Sequence, residues 1–398
     1  MISKEPNNNN DLPVVIAGGG CVGLFLALLL THSSLPNQII VIEPQHPDPA
    51  STRAMAHQPP TFPLFAQIPG LLPELIKAGS LSEGLCFRTS VKNGSRVIAS
   101  KKFDNSGEGM KGKGQLLLPQ GKFQQVLIGR LTKSEQAEVR LGWSVDGFEQ
   151  VDDNVSVRIR AAPICPPTLP YDSPNSTTAS ESAGTTDTET HTETINASYL
   201  IGADGAHSLV RKAMGLELEG ETLDAQLVAT DLRFPFKAHG FFDANFIVDA
   251  QDYGLIGRID NAGLWRVSYG VPGSQSEEEI RENVHEKLEV TNPYAGLGLA
   301  SGIADADSLA PILAHILSGK ASSPSTLLAS WSGARRQKFF DVVDKPSRAA
   351  YKRVRSNVDT DENVEALLER DPMVKALKSG MPVMPPSLRS AGEEMEGW

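Results

Sequence analysis

The feature that most constrains this chain is an apolar run, interrupted by glycines, that starts at Val14. Val14–Ala17 is apolar and rich in β-branched residues, which is typical of a buried parallel strand. Gly18, Gly20 and Gly23 follow at the spacing G-x-G-x-x-G, and an apolar helical run comes directly after them. At this spacing the first glycine permits a tight turn, the second lets the backbone approach a pyrophosphate, and the third lets the helix lie close to the strand. The pattern therefore predicts a helix whose N-terminus faces a phosphate.

A second predicted strand, at 38–42, ends in Glu43, twenty residues after Gly23. An acid at this place is suited to accept hydrogen bonds from the ribose hydroxyls of an adenosine. A glutamate at this place is also consistent with a solvated carboxylate at a strand end that binds nothing. The spacing favours a dinucleotide-binding site.

Composition excludes several classes of protein. The chain has 398 residues, of which 40% are hydrophobic and 21% charged, as in an ordinary globular protein of one or two domains. The net charge of −11 argues against a nucleic acid or an anionic membrane as partner. Three cysteines are too few for a disulfide framework, and the eight histidines lack metal-ligand spacing, so we predict no metal site.

The apolar run 12–30 has the hydropathy of a signal or membrane segment. The eleven residues before it carry one lysine and two acids instead of a basic flank, and the embedded glycines suit a turn better than a span. We therefore predict a cytoplasmic protein without a membrane span.

Patterning further along the chain predicts alternating strands and helices. Residues 163–194 are rich in Pro, Ser, Thr and Glu, which predicts a disordered insert in a hairpin. Strand-like runs fill 224–270, and a helical pattern covers 303–318. The tail after Asp359 is predicted to be weakly structured apart from a helix at 362–379.

Two more turns combine glycine with polar residues. Residues 202–205 read Gly-Ala-Asp-Gly and stand between a predicted strand and a helix that includes Ser208 and Arg211. An aspartate at this place also suits a plain helix N-cap. Residues 292–298 read Asn-Pro-Tyr-Ala-Gly-Leu-Gly and precede the helix predicted at 303–318.

The three motifs, in this order, resemble those of the FAD-dependent aromatic monooxygenases of the p-hydroxybenzoate hydroxylase type. The likeness is greatest to fungal members that act on phenolic natural products in secondary metabolism, and it covers most of residues 13–353. It implies an α/β fold in which a Rossmann-like FAD-binding domain is interleaved with a mainly β substrate domain and followed by C-terminal helices. The implied segments are 12–80, 115–223 and 290–356 for the FAD-binding domain with its helices, 81–114 and 224–289 for the substrate sheet, and 357–398 for a tail.

The resemblance also implies roles for individual residues. FAD would be bound at its pyrophosphate by Gly18, Gly20 and Gly23, at its ribose by Glu43, and at its flavin by Arg53, Gln120, Pro293, Gly296 and Gly298. Asp204 and Gly205 would serve FAD and NADPH together, and the helix after Gly302 would aim its N-terminus at the flavin N1 and O2. No side chain is predicted to act as a catalytic group, because the cofactor carries the chemistry.

The chemistry implied by the resemblance is hydroxylation of a phenolic or polyketide-like small molecule. In such enzymes NADPH reduces FAD, and the reduced flavin takes up O2 to form a C4a-hydroperoxide that an electron-rich phenol attacks. Such a site excludes water and needs apolar walls, which the 224–270 region is suited to supply. The oligomeric state stays open, a homodimer included.

One motif of the family is missing from this sequence. Such enzymes carry a strand ending in Gly-Asp-Ala-Ala-His before the third glycine-rich turn, but only residues 271–290 separate Gly270 from Thr291, and they contain no such motif. We infer that a block is missing near Val290. A catalytically inactive member that retains at most weak nucleotide binding is therefore the alternative function.

A third interpretation is an NAD-linked dehydrogenase that uses only the first motif. It leaves the second and third motifs unexplained. The sequence also offers it no evident Tyr-x-x-x-Lys or Cys/His catalytic set. The monooxygenase and its inactive relative are therefore the two favoured readings.

Overall fold

The computed structural model of the chain describes residues 12–49, 51–52, 54–106, 112–162, 191–220, 224–280, 297–379 and 387–398. Its strands are β1 Val14–Ala17, β2 Ile39–Glu43, β3 Ala56–His57, β4 Ser80–Leu81, β5 Gly84–Thr89, β6 Val97–Lys102, β7 Leu116–Leu117, β8 Ala137–Leu141, β9 Trp143–Val151, β10 Asn154–Ala161, β11 Thr192–Ala197, β12 Tyr199–Gly202, β13 Ala225–Arg233, β14 Ala244–Val248, β15 Gly254–Arg258 and β16 Leu264–Pro272. Its helices are α1 Cys21–Thr31, α2 Phe62–Phe65, α3 Leu71–Ala78, α4 Gln120–Leu131, α5 Leu209–Ala213, α6 Leu297–Leu317, α7 Pro324–Lys338, α8 Lys345–Val354, α9 Asp361–Arg370 and α10 Pro372–Lys378. A π-helical stretch, Phe339–Asp344, joins α7 to α8.

A parallel sheet with the strand order β12-β1-β2-β8 contains the first predicted strand at its centre. One face packs on α1, α4 and α6 through residues such as Val14 and Val41. The other face, with Val15 and Ile40, packs on the antiparallel sheet of β9, β10 and β11 through Val157. Because both faces of β1 and β2 are covered, these strands are continuous apolar runs instead of alternating ones.

A six-stranded sheet with the order β13-β16-β15-β14-β5-β6 forms the second unit. Directly paired residues in neighbouring strands point to the same side of a sheet. The pairings Phe87 with Phe246, Phe246 with Leu255 and Leu255 with Ser268 therefore define one face, which we call the inner face. Near β5 and β14 this face packs on α9 and α10 through Phe87 and Leu367.

Several helix predictions near the C-terminus are wrong in detail. The helix predicted at 303–318 is α6, which already includes Leu297, so Gly298 lies within the helix and not in a preceding turn. The single helix predicted at 362–379 is two helices, because Asp371 caps a new helix that starts at Pro372. The end of the tail is packed and not weakly structured, since the Trp398 ring stacks on His315 at 4.0 Å.

Within the described residues, α6 is the one helix that is long and apolar enough to span a membrane by length and composition. Half of its most apolar window is buried inside the protein. Its residues Ile303 and Leu313 belong to the main hydrophobic core together with residues of α1. Packing in this core accounts for the apolar composition of α6. The insert predicted at 163–194 lies outside the described residues except for its last part, where β11 begins.

Candidate cofactor-binding site

The first glycine-rich turn is held together by contacts that only glycine permits. Gly18 has a φ of +107°, and a Cβ placed on it would overlap the backbone carbonyl of Ala203, directly after β12. A Cβ on Gly23 would overlap the carbonyl of Gly18. These two glycines therefore let the turn approach β12 and let α1 approach the turn.

Gly20 has a different environment. It precedes α1 in an extended conformation, with a φ of −68°, and contributes no side-chain cap to the helix. A Cβ built on it would meet nothing within 4 Å. The first N–H groups of α1 have no helical acceptor, and the first turn contains no acidic residue. The open space and the positive end of the helix dipole together fit a phosphate group.

Glu43 lies beside this turn, at the carboxyl end of β2. Its Oε2 accepts a hydrogen bond from the Gly19 backbone N–H at 2.7 Å, and its Oε1 accepts one from the Gln45 N–H at 2.9 Å. Burial raises the pKa of this carboxyl above the usual 4.5, although the two N–H donors act in the opposite direction. A hydroxyl donor from a ligand would further stabilise the ionised carboxylate.

Asp204 performs a structural task. Its Oδ2 accepts hydrogen bonds from the backbone N–H groups of Leu209 and Val210, at 2.7 and 3.2 Å, and its Oδ1 accepts one from Ser208 Oγ at 2.5 Å. The carboxylate thus satisfies the first two N–H groups of α5, while the N-cap residue is Ser208, whose Oγ accepts from the Arg211 N–H at 3.0 Å, and not the aspartate that the sequence also suggests. Gly205 has a φ of +80°, a region that favours glycine.

Gln120 is the first residue of α4, and the start of this helix packs against the segment after Glu43. A Cβ on Gly121 would overlap the carbonyl of Asp48. One turn later, Gln124 donates from Nε2 to the Gly19 carbonyl at 3.0 Å. Gln124 is a site residue that the sequence motifs do not predict. The signal for it is a polar residue one turn after Gln120 and next to the buried Phe123.

The third glycine-rich segment is described only in part. Pro293 and Gly296 lie outside the described residues, as does Arg53 of the first region. Gly298 lies in the first described turn of α6, and nothing approaches its Cβ position within 4 Å. A Cβ on Gly302 would lie 2.6 Å from Cγ2 of Val22, so α6 meets the first turn of α1.

The described site residues therefore meet at one edge of the parallel sheet. The contacts of Gly18 with Ala203, Gly19 with Glu43, and Val22 with Gly302 connect three chain segments that are far apart in sequence. Ligands of open α/β sheets bind outside the carboxyl ends of the strands, where this group lies. The described residues include no cluster of three metal-ligating side chains. Backbone donors for a diphosphate beside a carboxylate for a ribose define a nucleotide-cofactor protein.

Comparison with known proteins identifies the cofactor. Residues 11–163 and 171–289 match the family of FAD binding domains. Para-nitrophenol 4-monooxygenase from Pseudomonas sp. (strain WBC-3) is 27% identical, over 85% of this chain and 86% of that protein. The crystal structure of p-nitrophenol 4-monooxygenase PnpA from Pseudomonas putida DLL-E4 superposes with a TM-score of 0.75 and 24% identity, covering 93% of this chain and 96% of that one. Aklavinone-11 hydroxylase, solved with FAD and aklavinone, superposes with a TM-score of 0.66 and 20% identity, over 86% of this chain and 69% of that one.

The chain belongs to the FAD binding domain family, and its family relatives are FAD-dependent monooxygenases. The predicted family, the p-hydroxybenzoate hydroxylase-like fold and FAD as cofactor are thereby confirmed. The fungal type, the missing block and the individual site residues stay predictions.

Proposed function

We propose that this chain uses NADPH and O2 to hydroxylate a phenolic or polyketide-like small molecule on a bound FAD. The observation that carries the proposal is the uncapped N-terminus of α1, with open space at Gly20 and the Glu43 carboxylate beside it. The family relatives act on p-nitrophenol and aklavinone by name, which supports an aromatic substrate. A cytoplasmic location is part of the same proposal.

Each described residue of the site has a task in this proposal. The first N–H groups of α1 bind the pyrophosphate, and Glu43 accepts hydrogen bonds from the ribose. Glu43 accepts from the Gly19 N–H and Gln124 donates to the Gly19 carbonyl, so these two side chains keep the shape of the turn without the ligand. When bound, FAD supplies hydride acceptance from NADPH and the activation of O2.

The inner face of the six-stranded sheet is proposed to shield the reaction from water. Leu255 provides an apolar wall on this face. Excluding water favours oxygen transfer to the substrate over wasteful loss of reducing power. Asp204 and Gly205 are proposed to contribute to binding FAD and NADPH from the neighbouring turn, while the carboxylate of Asp204 also accepts from the first two N–H groups of α5.

A catalytically inactive member of the family is the second candidate, and one structural observation favours it. Among the described residues, β12 is one of the two edge strands of the parallel sheet, with β8 at the other edge. Its residues Tyr199–Ile201 are only partly buried, whereas β1 is buried throughout. An edge with unpaired backbone groups agrees with a missing strand, which is the block inferred to be absent near Val290.

Cofactor uptake separates the two candidates. The purified chain is incubated with FAD and dialysed, and bound flavin is measured by visible absorption. NADPH oxidation is then followed with and without phenols, and hydroxylated product is sought by mass spectrometry. The monooxygenase predicts yellow protein, phenol-stimulated NADPH oxidation and product. Protein that takes up no FAD, or takes it up without any response to phenols, contradicts the active enzyme and supports the inactive relative.

A further inference from the structure

The inner face of the six-stranded sheet contains a buried hydroxyl that the fold does not use. Ser268, in the middle of β16, is 0% exposed. Its Oγ has no hydrogen-bond partner among the described residues. A buried polar group without a partner is costly, and native proteins rarely retain one without a reason. Ser268 therefore calls for a ligand or a functional explanation.

Contacts on both sides of Ser268 show what the inner face is turned towards. Arg266, two residues earlier on the same face, donates to the Thr52 backbone oxygen at 2.6 Å and to its Oγ1 at 2.5 Å. A Cβ on Gly257, which pairs with Arg266, would lie 2.7 Å from Cε of Met55. Thr52 and Met55 belong to the segment that follows Glu43, so this face is turned towards the cofactor-binding unit.

Aromatic side chains cover the other end of the same row. A Cβ on Gly270, two residues after Ser268, would overlap the hydroxyl of Tyr253. The Tyr253 ring meets Tyr351 edge to face, with centroids 6.2 Å apart. Ser268 is thus placed between the segment next to the cofactor site and a pair of tyrosines. The guanidinium of Arg355 lies over both rings, 5.5 Å from the Tyr253 centroid and 5.2 Å from the Tyr351 centroid.

The guanidinium of Arg266, two residues before Ser268 on this face, is already paired. Arg266 donates from Nε to Asp231 Oδ1 at 2.8 Å and from Nη2 to Asp231 Oδ2 at 2.9 Å, besides its bonds to Thr52. A ligand carboxylate beside Ser268 would have to compete with Asp231 for this guanidinium. Ser268 offers an uncharged donor and acceptor in its place.

We propose that the Ser268 hydroxyl determines specificity by binding an uncharged oxygen substituent of the aromatic substrate, and that this surface selects phenols over aromatic carboxylates. The inference rests on the proposed function and names its substrate class. The Ser268 oxygen is closed to water in the ligand-free chain, so a ligand displaces the side chains over it. Met55, beside Gly257, is flexible enough to make room.

The test compares three probes that share one ring system: naphthol, naphthalene and naphthoate. Binding to the full-length chain is measured by equilibrium dialysis, with FAD present and with FAD absent. The variant is Ser268→Ala. The matched control is Ser100→Ala, the same change on β6, where Ser100 pairs with Cys86 on the opposite face of the sheet. Thermal unfolding of each ligand-free variant is recorded in parallel.

Ser268→Ala is expected to raise the Kd of naphthol about tenfold, the loss of one hydrogen bond, and to leave the Kd of naphthalene unchanged. The wild type is expected to bind naphthol more tightly than naphthoate, and Ser100→Ala is expected to change neither Kd. The ligand-free Ser268→Ala protein keeps or raises its Tm, because an unpaired buried hydroxyl is removed.

Three results overturn the inference: equal weakening of all probes with a lowered Tm, a preference for naphthoate, or the lack of naphthol binding in both conditions. The proposed function fails separately. If the chain takes up no FAD but binds naphthol through Ser268, the inference stands and the proposed function is wrong. If the chain oxidises NADPH in response to phenols but Ser268→Ala does not change the Kd of naphthol, the proposed function stands and the inference is wrong.

Discussion

Two turns of this protein follow neighbouring parallel strands and lead into helices, yet they use their backbone donors in opposite ways. After β1, the start of α1 is uncapped and open at Gly20. After β12, the start of α5 has Ser208 as its N-cap residue, and the carboxylate of Asp204 accepts from the first two N–H groups of the helix. Both turns look alike in sequence, since each combines a strand end, glycines and a helix start.

The difference shows what turns a helix start into a binding site. Unsatisfied N–H groups attract an anion only when the protein does not supply that anion itself. At α5 the protein supplies its own carboxylate, so Asp204 serves the fold. At α1 the first N–H groups stay without an acceptor and are free to bind the phosphates of a cofactor.

The largest effects are expected from the glycines of the first turn. Gly23→Ala should lower the free energy of unfolding by about 3 kcal/mol, because the new methyl group overlaps the Gly18 carbonyl. Gly20→Ala should leave stability within about 0.5 kcal/mol, because nothing lies within 4 Å, and should still weaken FAD binding at least tenfold by filling the phosphate space. Urea unfolding and FAD titration measure the two quantities. The contrast breaks down if both variants lose stability equally.

Glu43 sharpens the comparison through pH. Burial raises its pKa above 4.5, so the folded chain holds this proton more tightly than the unfolded chain. Its contribution to stability is therefore largest below pH 4.5 and is lost as the pH rises through the raised pKa. Glu43→Gln should remove this loss of stability, which urea unfolding at a series of pH values detects.

The same variant tests the proposed ribose contact. A ribose hydroxyl that donates to the carboxylate favours its ionised form, so the FAD affinity of the wild type should rise with pH across the same range. Glu43→Gln should bind FAD roughly 10- to 100-fold more weakly at neutral pH, without this rise. Parallel pH profiles for the two proteins would contradict the contact.

Asp204→Ala tests the other turn. Removing the acceptor of the first two N–H groups of α5 should cost about 1–2 kcal/mol of unfolding free energy, measured in urea. Asp153→Ala, an exposed aspartate in the turn between β9 and β10, is the matched control and should change stability by less than about 0.5 kcal/mol. Equal, small losses in both variants would show that the Asp204 carboxylate does not stabilise the fold.

The smallest effect concerns the contact between α6 and α1. In the wild type, Gly302→Ala places a methyl group 2.6 Å from the stiff Val22 side chain. In a Val22→Ala background, Gly302→Ala should lower the free energy of unfolding by about 1 kcal/mol less than it does in the wild type, because the clash is gone. Unfolding free energies of the four proteins give this coupling energy. A coupling near zero would mean that the two helices adjust freely.

Much of the nucleotide-binding unit could be predicted from local sequence. The strand, turn and helix at 14–30 depend on contacts between near neighbours, and the need for glycine at Gly18 and Gly23 is visible in their spacing. The start of α6 was misjudged because glycine weakens a helix on its own, whereas packing of Gly302 on Val22 makes glycine useful there. The break at Pro372 was overlooked although Asp371 and proline together mark a new helix start.

By itself, the sequence determined the family motifs, the apolar strands and the order of the segments, because these follow from residue types a few positions apart. Only the tertiary structure decided which helix start stays open, that Gln124 holds the first turn, and that Ser268 is buried with no hydrogen-bond partner among the described residues. Each of these depends on which distant residues meet. Contacts between residues far apart in sequence are fixed only by the packing of the whole molecule.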